Sequence, residues 1–564
     1  MKKTILLYVL SLLFVMPAKA QDDKDHDFTV SKNIEIFNAI YRDLDMMYVD
    51  SLDADMVIGT GINAMLRSLD PYTEYYPESK VKELNQLITG KYAGVGALIK
   101  YNEQLKRVVI DEPYENMPAA EAGLRKGDII LSIDDSVMTD KTVSEVSARL
   151  RGEPGTSFQL KVKRPSTGKT LTMKVTRRSI QMPSLPYYGL LGGDLGYINF
   201  SSYTDGCAQE VRRAFLDLKK RGAKGLVFDL RNNGGGSLSE AVSIVNMFVP
   251  KGQTLVTTKG KMSRVNKVYA ATVEPIDTVM PIVVLVNGVT ASAAEVTSGC
   301  LQDLDRAIIL GTRTYGKGLV QVSLDLPYNG QLKVTTSHYY IPSGRCVQAI
   351  NYLHDKGGYT EHVPDSLTRV FHTKGGREVR DGGGIKPDIE VKSDSLPNIA
   401  YYLIGLRDSN EVVLNYEVDY IAKHPTIAPA DSFCLTDADY EEFKRRVLEC
   451  DFQYDRETEK YLKDLVRLAK FEGYYDDAKP EFEALEKKLS HNVAKDLDYN
   501  KDIIKQLLEN DIVTAYYYQA GAIRNSLRYD KQVAEAVRLL RSPEEYAKVL
   551  QPVETAKEKP SGTR

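Results

Sequence analysis

One lysine, Lys317, lies in a glycine-rich segment of a kind that binds phosphate in many proteins. The stretch GTRTYGKGLVQ contains Gly311, then four further residues, then Gly316 and Lys317. It therefore matches all but the last position of the loop G-x-x-x-x-G-K-[S/T]. That loop needs a hydroxyl after the lysine to bind Mg²⁺, and it opens a helix whose amides face the phosphates. Here Gly318 follows, and LVQVSLDLP alternates like a strand. We therefore predict a different role for Lys317.

A serine, Ser292, lies where an apolar strand passes into a helix. In VVLVNGVTASAAEV the strand ends near Asn287 and Gly288, and Ser292 begins a helix rich in alanine. Free amides and the helix dipole at such a terminus can stabilise an oxyanion. A serine before a helix is commonly only an N-cap. The alanines on either side leave room for a bound peptide backbone, which a cap does not need, so Ser292 is a candidate nucleophile.

Three successive glycines, Gly234 to Gly236, lie at a second turn from strand to helix, in GLVFDLRNNGGGSLSEAV. Glycine allows backbone conformations closed to other residues and close approach by a ligand. An ordinary turn rarely needs three of them. Their amides are therefore candidates to complete an oxyanion hole.

A serine nucleophile also needs a base, and no histidine is close to Ser292 in the sequence; His338 and His354 lie in ordinary settings. A lysine can replace histidine if burial lowers its pKa from about 10.4 toward neutrality. Apolar strands flank GTRTYGKG, so Lys317 is a candidate base, the alternative being a solvated surface lysine. Gln321, four residues later, falls on the same face of the predicted strand and can accept from the amine.

The remaining pattern predicts a multidomain α+β chain. A length of 564 residues suggests three to five domains, and 43% hydrophobic with 27% charged residues is typical of folded globular proteins. We predict a helical N-terminal region (21–88), either a plain cap or a regulatory or dimerising element, and a small β-rich module (89–180). Strands and helices then alternate as βαβ units (181–395), which place sites at the carboxyl ends of parallel strands. Charged helices follow (396–564).

The first twenty residues, MKKTILLYVLSLLFVMPAKA, have the basic start, apolar run and Ala-Lys-Ala end of a secretory signal peptide, with a buried N-terminal helix as the alternative. No later run is long enough to span a membrane, and no cysteine follows the cleavage site for a lipid anchor. Cleavage removes three lysines and takes the net charge from -3 to -6, which argues against nucleic acid as a partner. We expect a bacterial periplasmic protein.

Cysteine and histidine usage indicates neither a disulfide framework nor a metal site. The five cysteines are odd in number, and Cys434 with Cys450 is one conceivable pair. C-x-x-C and H-E-x-x-H are absent from the sequence, and the seven histidines are scattered. We therefore expect no metal and no cofactor.

Five segments, in their order along the chain, resemble motifs of the carboxyl-terminal processing peptidases, which are also called tail-specific proteases. The segments are GLVFDLRNNGGG, VNGVTASAAEVTSGCLQD, GTRTYGKGLVQ, YYIPSGR and GIKPDIEV. The resemblance covers roughly residues 30–395. It implies a serine peptidase core with an embedded PDZ domain, in which Ser292 is the nucleophile, Lys317 the general base and Gln321 the residue that positions the lysine. It also implies an oxyanion hole from the amides of Ala293 and Gly235. Gly234 stands where many relatives have proline, which leaves the register of that turn open.

The segment AAEAGLRKGDIILSIDD resembles the core of a bacterial PDZ domain. AGVGALI would be its carboxylate-binding loop, in which Gly94, Val95, Gly96 and Ala97 present amides to a terminal carboxylate, with a ligand-free glycine turn as the alternative.

The resemblance thus implies an endopeptidase that acts through an acyl-enzyme on protein or peptide substrates recognised by their C-terminal tails. The alternatives are a non-catalytic PDZ adaptor with a protease-like domain, or another acyl-transfer enzyme such as a thioesterase. The C-terminal helices lie outside the resemblance and are a candidate site for homo-oligomer formation.

Overall fold

The computed structural model describes residues 18–350, 352, 365–406, 411–450, 452–489 and 492–552. Residues 1–17 of the predicted signal peptide and His354 lie outside the described residues. Two compact units are present, which divide between Tyr75 and Tyr76. Within the described ranges, no helix combines the length and the hydropathy that a membrane span requires.

The first unit is helical, as the periodicity predicts. It comprises α1 (Ala18–Met47) and α2 (Ala54–Arg67), and a short strand, β1 (Glu74–Tyr76), lies at the boundary. Asp53 caps α2, since its side chain accepts a hydrogen bond from the amide of Met56. A cap or dimerising role for this unit stays a prediction.

The second unit begins with the end of the predicted N-terminal helical region and the predicted β-rich module. Their elements are α3 (Glu78–Thr89), β2 (Lys91–Gly94), β3 (Ala97–Asn102), β4 (Arg107–Pro113), α4 (Pro118–Glu121), β5 (Ile129–Ile133), β6 (Ser136–Val137), α5 (Val143–Leu150), β7 (Ser157–Arg164), β8 (Lys169–Thr176) and β9 (Arg178–Gln181). Strands β3 to β8 form one antiparallel sheet, and β2 pairs with β9. Phe158, Leu160 and Val162 are buried and alternate with more exposed residues along β7, as expected for a sheet with one face on a core.

The region 181–395, predicted to be a peptidase core, contains a six-stranded sheet in the order β10-β11-β12-β15-β16-β21. All neighbours are parallel except β10 and β11, so the predicted largely parallel sheet is confirmed. The elements are β10 (Tyr187–Leu191), β11 (Leu195–Asn199), α6 (Cys207–Lys220), β12 (Gly225–Asp229), α7 (Leu238–Asn246), β13 (Thr254–Gly260), β14 (Lys267–Ala270), β15 (Ile282–Val286), α8 (Ala293–Asp303), β16 (Ile308–Gly311), β17 (Leu319–Asp325), β18 (Gln331–Tyr340), β19 (Val370–His372), β20 (Glu378–Arg380) and β21 (Ile389–Glu390), with 3-10 turns at Ser263–Val265 and Asp365–Leu367.

This parallel arrangement decides where chemistry can take place. The loops that follow β12, β15 and β16 leave the same edge of the sheet because the three strands run in one direction. These loops span residues 230–237, 287–292 and 312–318. They contain the glycine run, the candidate serine and the candidate lysine.

The C-terminal region is helical, as predicted. It comprises α9 (Asn398–Tyr401), a π-helical turn (Tyr402–Leu406), α10 (Val412–Lys423), α11 (Asp437–Glu449), α12 (Glu457–Glu472), α13 (Lys479–Lys488), α14 (Val493–Tyr499), α15 (Lys501–Ser526), α16 (Lys531–Leu540) and α17 (Pro543–Val549). A core of its own includes Tyr416, Tyr440, Phe443, Leu497 and Ile512. The fold class is therefore the predicted multidomain α+β class, with a βαβ-containing core, a smaller β-rich module and helical N- and C-terminal regions.

Helix α16 covers one face of the peptidase sheet, which the sequence pattern did not predict. Its residues Val533, Ala536 and Leu539 pack against Val227 of β12 and Val283 of β15. The alternate residues of the same strands face α6, α7 and α8. A parallel sheet buried on both faces explains why every residue of β12 and β15 is buried.

Helix α10 joins the PDZ domain to the helical region. Val418 packs with Val109 and Ile129 of the PDZ sheet. The ammonium of Lys126 lies 3.2 Å from a carboxylate oxygen of Glu417, a side chain that is 1% exposed. Burial raises the pKa of Glu417, which the charge of Lys126 partly offsets. The contact therefore has an apolar part and a buried ionic part.

The cysteines are unpaired. Cys207 and Cys300 are buried, and Cys346 and Cys450 are partly buried. Cys434 is exposed and is not joined to Cys450.

Candidate active site

Ser292 occupies a strained turn directly before α8. Its backbone angles are φ 56° and ψ −117°, outside the conformations that a non-glycine residue ordinarily adopts, at a typical cost of about 1–3 kcal/mol. Two bonds to the loop after β12 hold the turn: the amide of Ala291 donates to the carbonyl of Asn233 at 3.0 Å, and the hydroxyl of Thr290 donates to the carbonyl of Leu230 at 2.9 Å. The neighbouring loop thus fixes the position of the serine.

The carboxylate of Glu295 links the serine turn to the lysine turn. One oxygen, Oε2, accepts from the amides of Ser292 and Lys317, each at 2.8 Å. The other, Oε1, accepts from the amide of Gly316 at 2.7 Å and from the hydroxyl of Thr314 at 2.6 Å. The side chain is completely buried. The loops that follow two neighbouring strands therefore donate hydrogen bonds to the same carboxylate.

Burial raises the pKa of Glu295, although the hydroxyl and the three amides act in the opposite direction. Four donors satisfy the carboxylate, as a buried charge requires. Glu295 was not among the predicted site residues. A signal was present, since Ser292 followed three residues later by Glu295 matches the capping box S-x-x-E.

Glycines shape the turn that carries Lys317. Gly316 has a φ of 88°, and a Cβ there would lie 2.4 Å from the Cβ of Ala349. The amide of Gly318 donates to Oε1 of Gln348 at 2.6 Å, and the amide of Ala349 donates to the carbonyl of Gly316 at 2.9 Å. Close packing of the segment 346–350 against this turn explains the Gly-Lys-Gly sequence. No phosphate role is needed to account for it.

Gln321 lies on β17, the strand that leaves the lysine turn. Its amide nitrogen donates to the hydroxyl of Thr335 on β18 at 3.0 Å. The predicted common strand face is wrong, because Lys317 lies two residues before β17 begins at Leu319 and the strand register shifts just before Gln321. The bond to Thr335 leaves the amide oxygen of Gln321 as the part of the group that can accept from a lysine.

The glycine run packs directly against the serine turn. Gly235 has a φ of 94°, and a Cβ there would lie 2.7 Å from the carbonyl oxygen of Ala291 and 2.8 Å from the amide nitrogen of Ala293. The amide of Gly235 donates to Oδ1 of Asn233 at 2.9 Å. Ala293 is the first residue of α8, where a backbone amide has no partner within the helix. The two predicted oxyanion donors therefore lie side by side, and one of them is engaged with Asn233.

A methyl group at Gly235 should disable the site. We expect Gly235→Ala to lower stability by about 1–3 kcal/mol and to abolish activity, because both the positive φ and the contact with Ala291 and Ala293 oppose a side chain. Gly234→Ala is the matched control, since a Cβ there meets no atom within 4 Å. Urea unfolding and a peptidase assay measure both effects. Equal behaviour of the two variants would contradict the packing described for Gly235.

The motifs YYIPSGR and GIKPDIEV have structural roles at the far end of α8. The guanidinium of Arg345, 1% exposed, donates to Asp303 and Gln302, each at 2.8 Å. Asp388 accepts from the side chain of Gln302 at 2.8 Å and from the amide of Ile309 at 2.7 Å. These bonds fix the end of the helix that Ser292 precedes.

The PDZ domain has a groove beside its predicted carboxylate-binding loop. A cavity of about 320 Å³ lies between that loop and α5, lined by Tyr92, Val95, Gly96, Ala97, Leu98, Ile99, Tyr114, Val143, Ser147, Leu150, Arg151 and Met182. The carbonyls of Val95 and Gly96 accept from the amides of Ala119 and Tyr114. These bonds hold the loop at one end of the groove. Gly94 is the last residue of β2.

Comparison with known protein families assigns three parts of the chain. Residues 194–355 match the model for Peptidase family S41, residues 109–164 that for a PDZ domain, and residues 399–540 that described as "Probable PDZ-protease, C-terminal helical domain". The carboxy-terminal-processing protease of Bartonella bacilliformis is 33% identical over 389 residues, 66% of this chain and 88% of the relative. A "Probable CtpA-like serine protease" of Staphylococcus aureus is 33% identical over 333 residues, 58% of this chain and 64% of the relative.

Among solved structures, the photosystem II D1 C-terminal processing protease is 28% identical, with a TM-score of 0.36, over 63% of this chain and 87% of that one. The sequence matches establish a serine-type peptidase that carries a PDZ domain. More narrowly, the chain belongs to the carboxyl-terminal processing peptidases of family S41, because it spans most of a relative that is one-third identical.

Proposed function

We propose that the protein is an endopeptidase in which Ser292 and Lys317 form a catalytic dyad. The observation that carries the proposal is the shared acceptor, Glu295. The amides of Ser292 and Lys317 each donate to the same carboxylate oxygen at 2.8 Å, so the two nitrogens lie at most 5.6 Å apart. Two side chains that leave neighbouring backbone positions can act on one substrate bond.

In the proposed mechanism, the neutral amine of Lys317 takes the proton of the Ser292 hydroxyl as its oxygen attacks the peptide carbonyl carbon. The C–N bond then breaks, and the lysine gives its proton to the departing amine. This leaves an ester between Ser292 and the acyl part of the substrate. A water molecule then loses a proton to Lys317 as its oxygen attacks the ester carbonyl carbon. The bond from that carbon to the Ser292 oxygen breaks, Lys317 returns the proton to the serine, and the acyl part leaves as a carboxylic acid.

Three neighbouring groups support these steps in the proposal. The amide oxygen of Gln321 accepts from the lysine amine and orients it. The amides of Ala293 and Gly235 stabilise the oxyanion. Because the amide of Gly235 donates to Asn233 in this structure, the substrate oxygen must share that amide or displace Asn233. The chemistry requires only side chains and backbone amides, so no cofactor is part of the proposal.

The PDZ groove is proposed to bind the C-terminal tail of the substrate. The amides of the loop 94–97 would receive the terminal carboxylate, and the tail would add as a strand beside β3. The apolar side chains of Val95, Val143 and Leu150 in the groove favour an apolar last residue. We also propose export to the periplasm through residues 1–20, because they have the basic start, apolar run and small-residue end of a signal peptide.

A panel of unfolded proteins that differ only in the last residue tests the proposal. We expect kcat/KM to fall at least about tenfold when a terminal valine is replaced by aspartate or the terminal carboxylate is amidated, because the groove offers amides and apolar groups. Mass spectrometry locates the cuts, and Ser292→Ala is the control for contaminating proteases. If the rate of cleavage does not depend on the last residue or its carboxylate, recognition by the PDZ groove is wrong, but the proposed Ser292–Lys317 dyad is unaffected. Binding of the tails without cleavage by the unmodified protein would favour the adaptor, and thioester hydrolysis alone would favour a thioesterase.

A further inference from the structure

Arg231 connects the glycine-rich loop of the site with α16. Its guanidinium donates to the carboxylate of Asp229 through two nitrogens, Nε at 2.9 Å and Nη2 at 2.6 Å. The same guanidinium lies 2.7 Å from a carboxylate oxygen of Asp530 and donates to Oε1 of Gln532 at 2.9 Å. Asp530 is the N-cap of α16, and Gln532 lies in its first turn. The helical C-terminal region is therefore bonded directly to the loop 230–237.

The shape of this loop depends on contacts with its neighbours. Asn232, Gly235 and Gly236 have φ values of 61°, 94° and 141°. Positive φ is uncommon for residues other than glycine, and glycine itself leaves the chain many conformations. A backbone of this kind keeps one shape only where the surrounding structure holds it.

Hydrogen bonds carry the position of Arg231 to the serine turn. The next residue, Asn232, exchanges two bonds with Asn287: its amide donates to Oδ1 of Asn287 at 3.0 Å, and Nδ2 of Asn287 donates to Oδ1 of Asn232 at 2.8 Å. The carbonyl of Asn233 then accepts from the amide of Ala291. A displacement of Arg231 would therefore shift the glycine run relative to the serine turn.

Arg231 also borders a large cavity. The cavity has a volume of about 840 Å³, and Leu98 and Glu112 of the PDZ domain line it as well. The side chain of Arg231 is 17% exposed, so water in the cavity can solvate the guanidinium if the contact with Asp530 is lost. Water would satisfy the charge but would not fix its position. Loss of the contact should thus change the geometry of the loop without unfolding the protein.

We infer that Asp530, assisted by Gln532, is a positioning residue for the peptidase. Through Arg231, α16 holds the loop 230–237 where the amide of Gly235 can stabilise an oxyanion, an inference that rests on the proposed function. The helical C-terminal region is then a required part of the catalytic unit. Arg231 itself is a poor test, because its removal would leave the buried Asp229, 1% exposed, without its charge partner.

Asp530→Asn separates the two roles of the Asp530 side chain. Oδ1 accepts from the amides of Gln532 and Val533, which caps α16, and Oδ2 contacts Arg231. Asparagine is as good an N-cap as aspartate, but its amide nitrogen donates and cannot accept from the guanidinium. We expect kcat to fall at least about tenfold with KM within about twofold, because a displacement of about 1 Å can cost a factor of 100 in rate.

Asp530→Glu is the conservative comparison. Glutamate keeps a carboxylate for Arg231 but is not among the preferred N-cap residues. We therefore expect Asp530→Glu to have the higher kcat and Asp530→Asn the higher thermal midpoint. Asp53→Asn makes the same change at the cap of α2 and should keep full kcat, so it is the matched control. If kcat instead follows the thermal midpoint through the series, Asp530 acts only as a cap and the inference is wrong.

Hydrogen–deuterium exchange tests the contact without an activity assay. In Asp530→Asn, the amides of residues 231–236 should exchange at least about fivefold faster, because the loop opens more often, while those of β17 should be unchanged. Unchanged exchange in the loop would overturn the inference. Faster exchange, in a protein whose unmodified form cleaves no peptide bond, would show that α16 holds the loop and that the proposed function is what fails.

Discussion

Replacement of Lys317 by methionine is expected to lower kcat/KM for peptide-bond cleavage at least about 1,000-fold while the protein stays folded. Methionine keeps most of the side-chain volume but has no amine to take the proton of Ser292, and general acid–base catalysis contributes about 100- to 10,000-fold. The backbone of the turn should persist, because its amide donates to Glu295 whatever the side chain. Hydrolysis of an unfolded protein measures the loss.

Lys317→Arg separates proton transfer from simple positive charge. Arginine stays protonated at all working pH values, so this variant should be as inactive as Lys317→Met. Lys220→Met, at an exposed lysine ending α6, should keep full activity. Activity within tenfold of the unmodified protein in Lys317→Arg would show that the lysine acts through charge alone, and the proposed dyad would be wrong.

Glu295→Gln is expected to have the second largest effect, lowering kcat at least about 100-fold. One carboxylate oxygen of Glu295 accepts from Ser292 and Lys317, and the other accepts from Gly316 and Thr314. The amide nitrogen of glutamine can only donate, so two of these four donors lose their acceptor whichever oxygen it replaces. A buried donor without a partner costs about 1–3 kcal/mol. The serine and lysine turns should then separate, and a displacement of about 1 Å can cost a factor of 100 in rate.

Two measurements distinguish this positioning role from a general loss of stability. The rate at which a fluorophosphonate labels Ser292 should fall with kcat, because the label needs the activated serine but no substrate tail. Thermal unfolding should show a folded protein with a lowered midpoint. Asp439→Asn is the matched control, since Asp439 holds the same N3 position in the capping box of α11. Full labelling and full kcat in Glu295→Gln would refute the role assigned to Glu295.

Local patterns in the sequence determined the positions of the chemical groups along the chain. The apolar runs of β12, β15 and β16 predict parallel strands whose following loops gather at one edge, and these three loops contain Gly235, Ser292 and Lys317 respectively. The glycines of AGVGALI and the alternation in FQLKVKRP likewise predict the PDZ module. Such features can be predicted because they depend on residues close together in the chain.

The tertiary structure alone decided which groups meet. Glu295 joins amides 3 and 22 residues away, and this depends on the paths of two loops. The amide of Ala291 donates to the carbonyl of Asn233, 58 residues earlier, and α16 covers strands more than 200 residues earlier in the chain. Periodicity shows that a helix has an apolar face, but it does not identify the surface that the face will cover. That choice depends on the packing of the whole chain, because hydrophobic burial is non-directional.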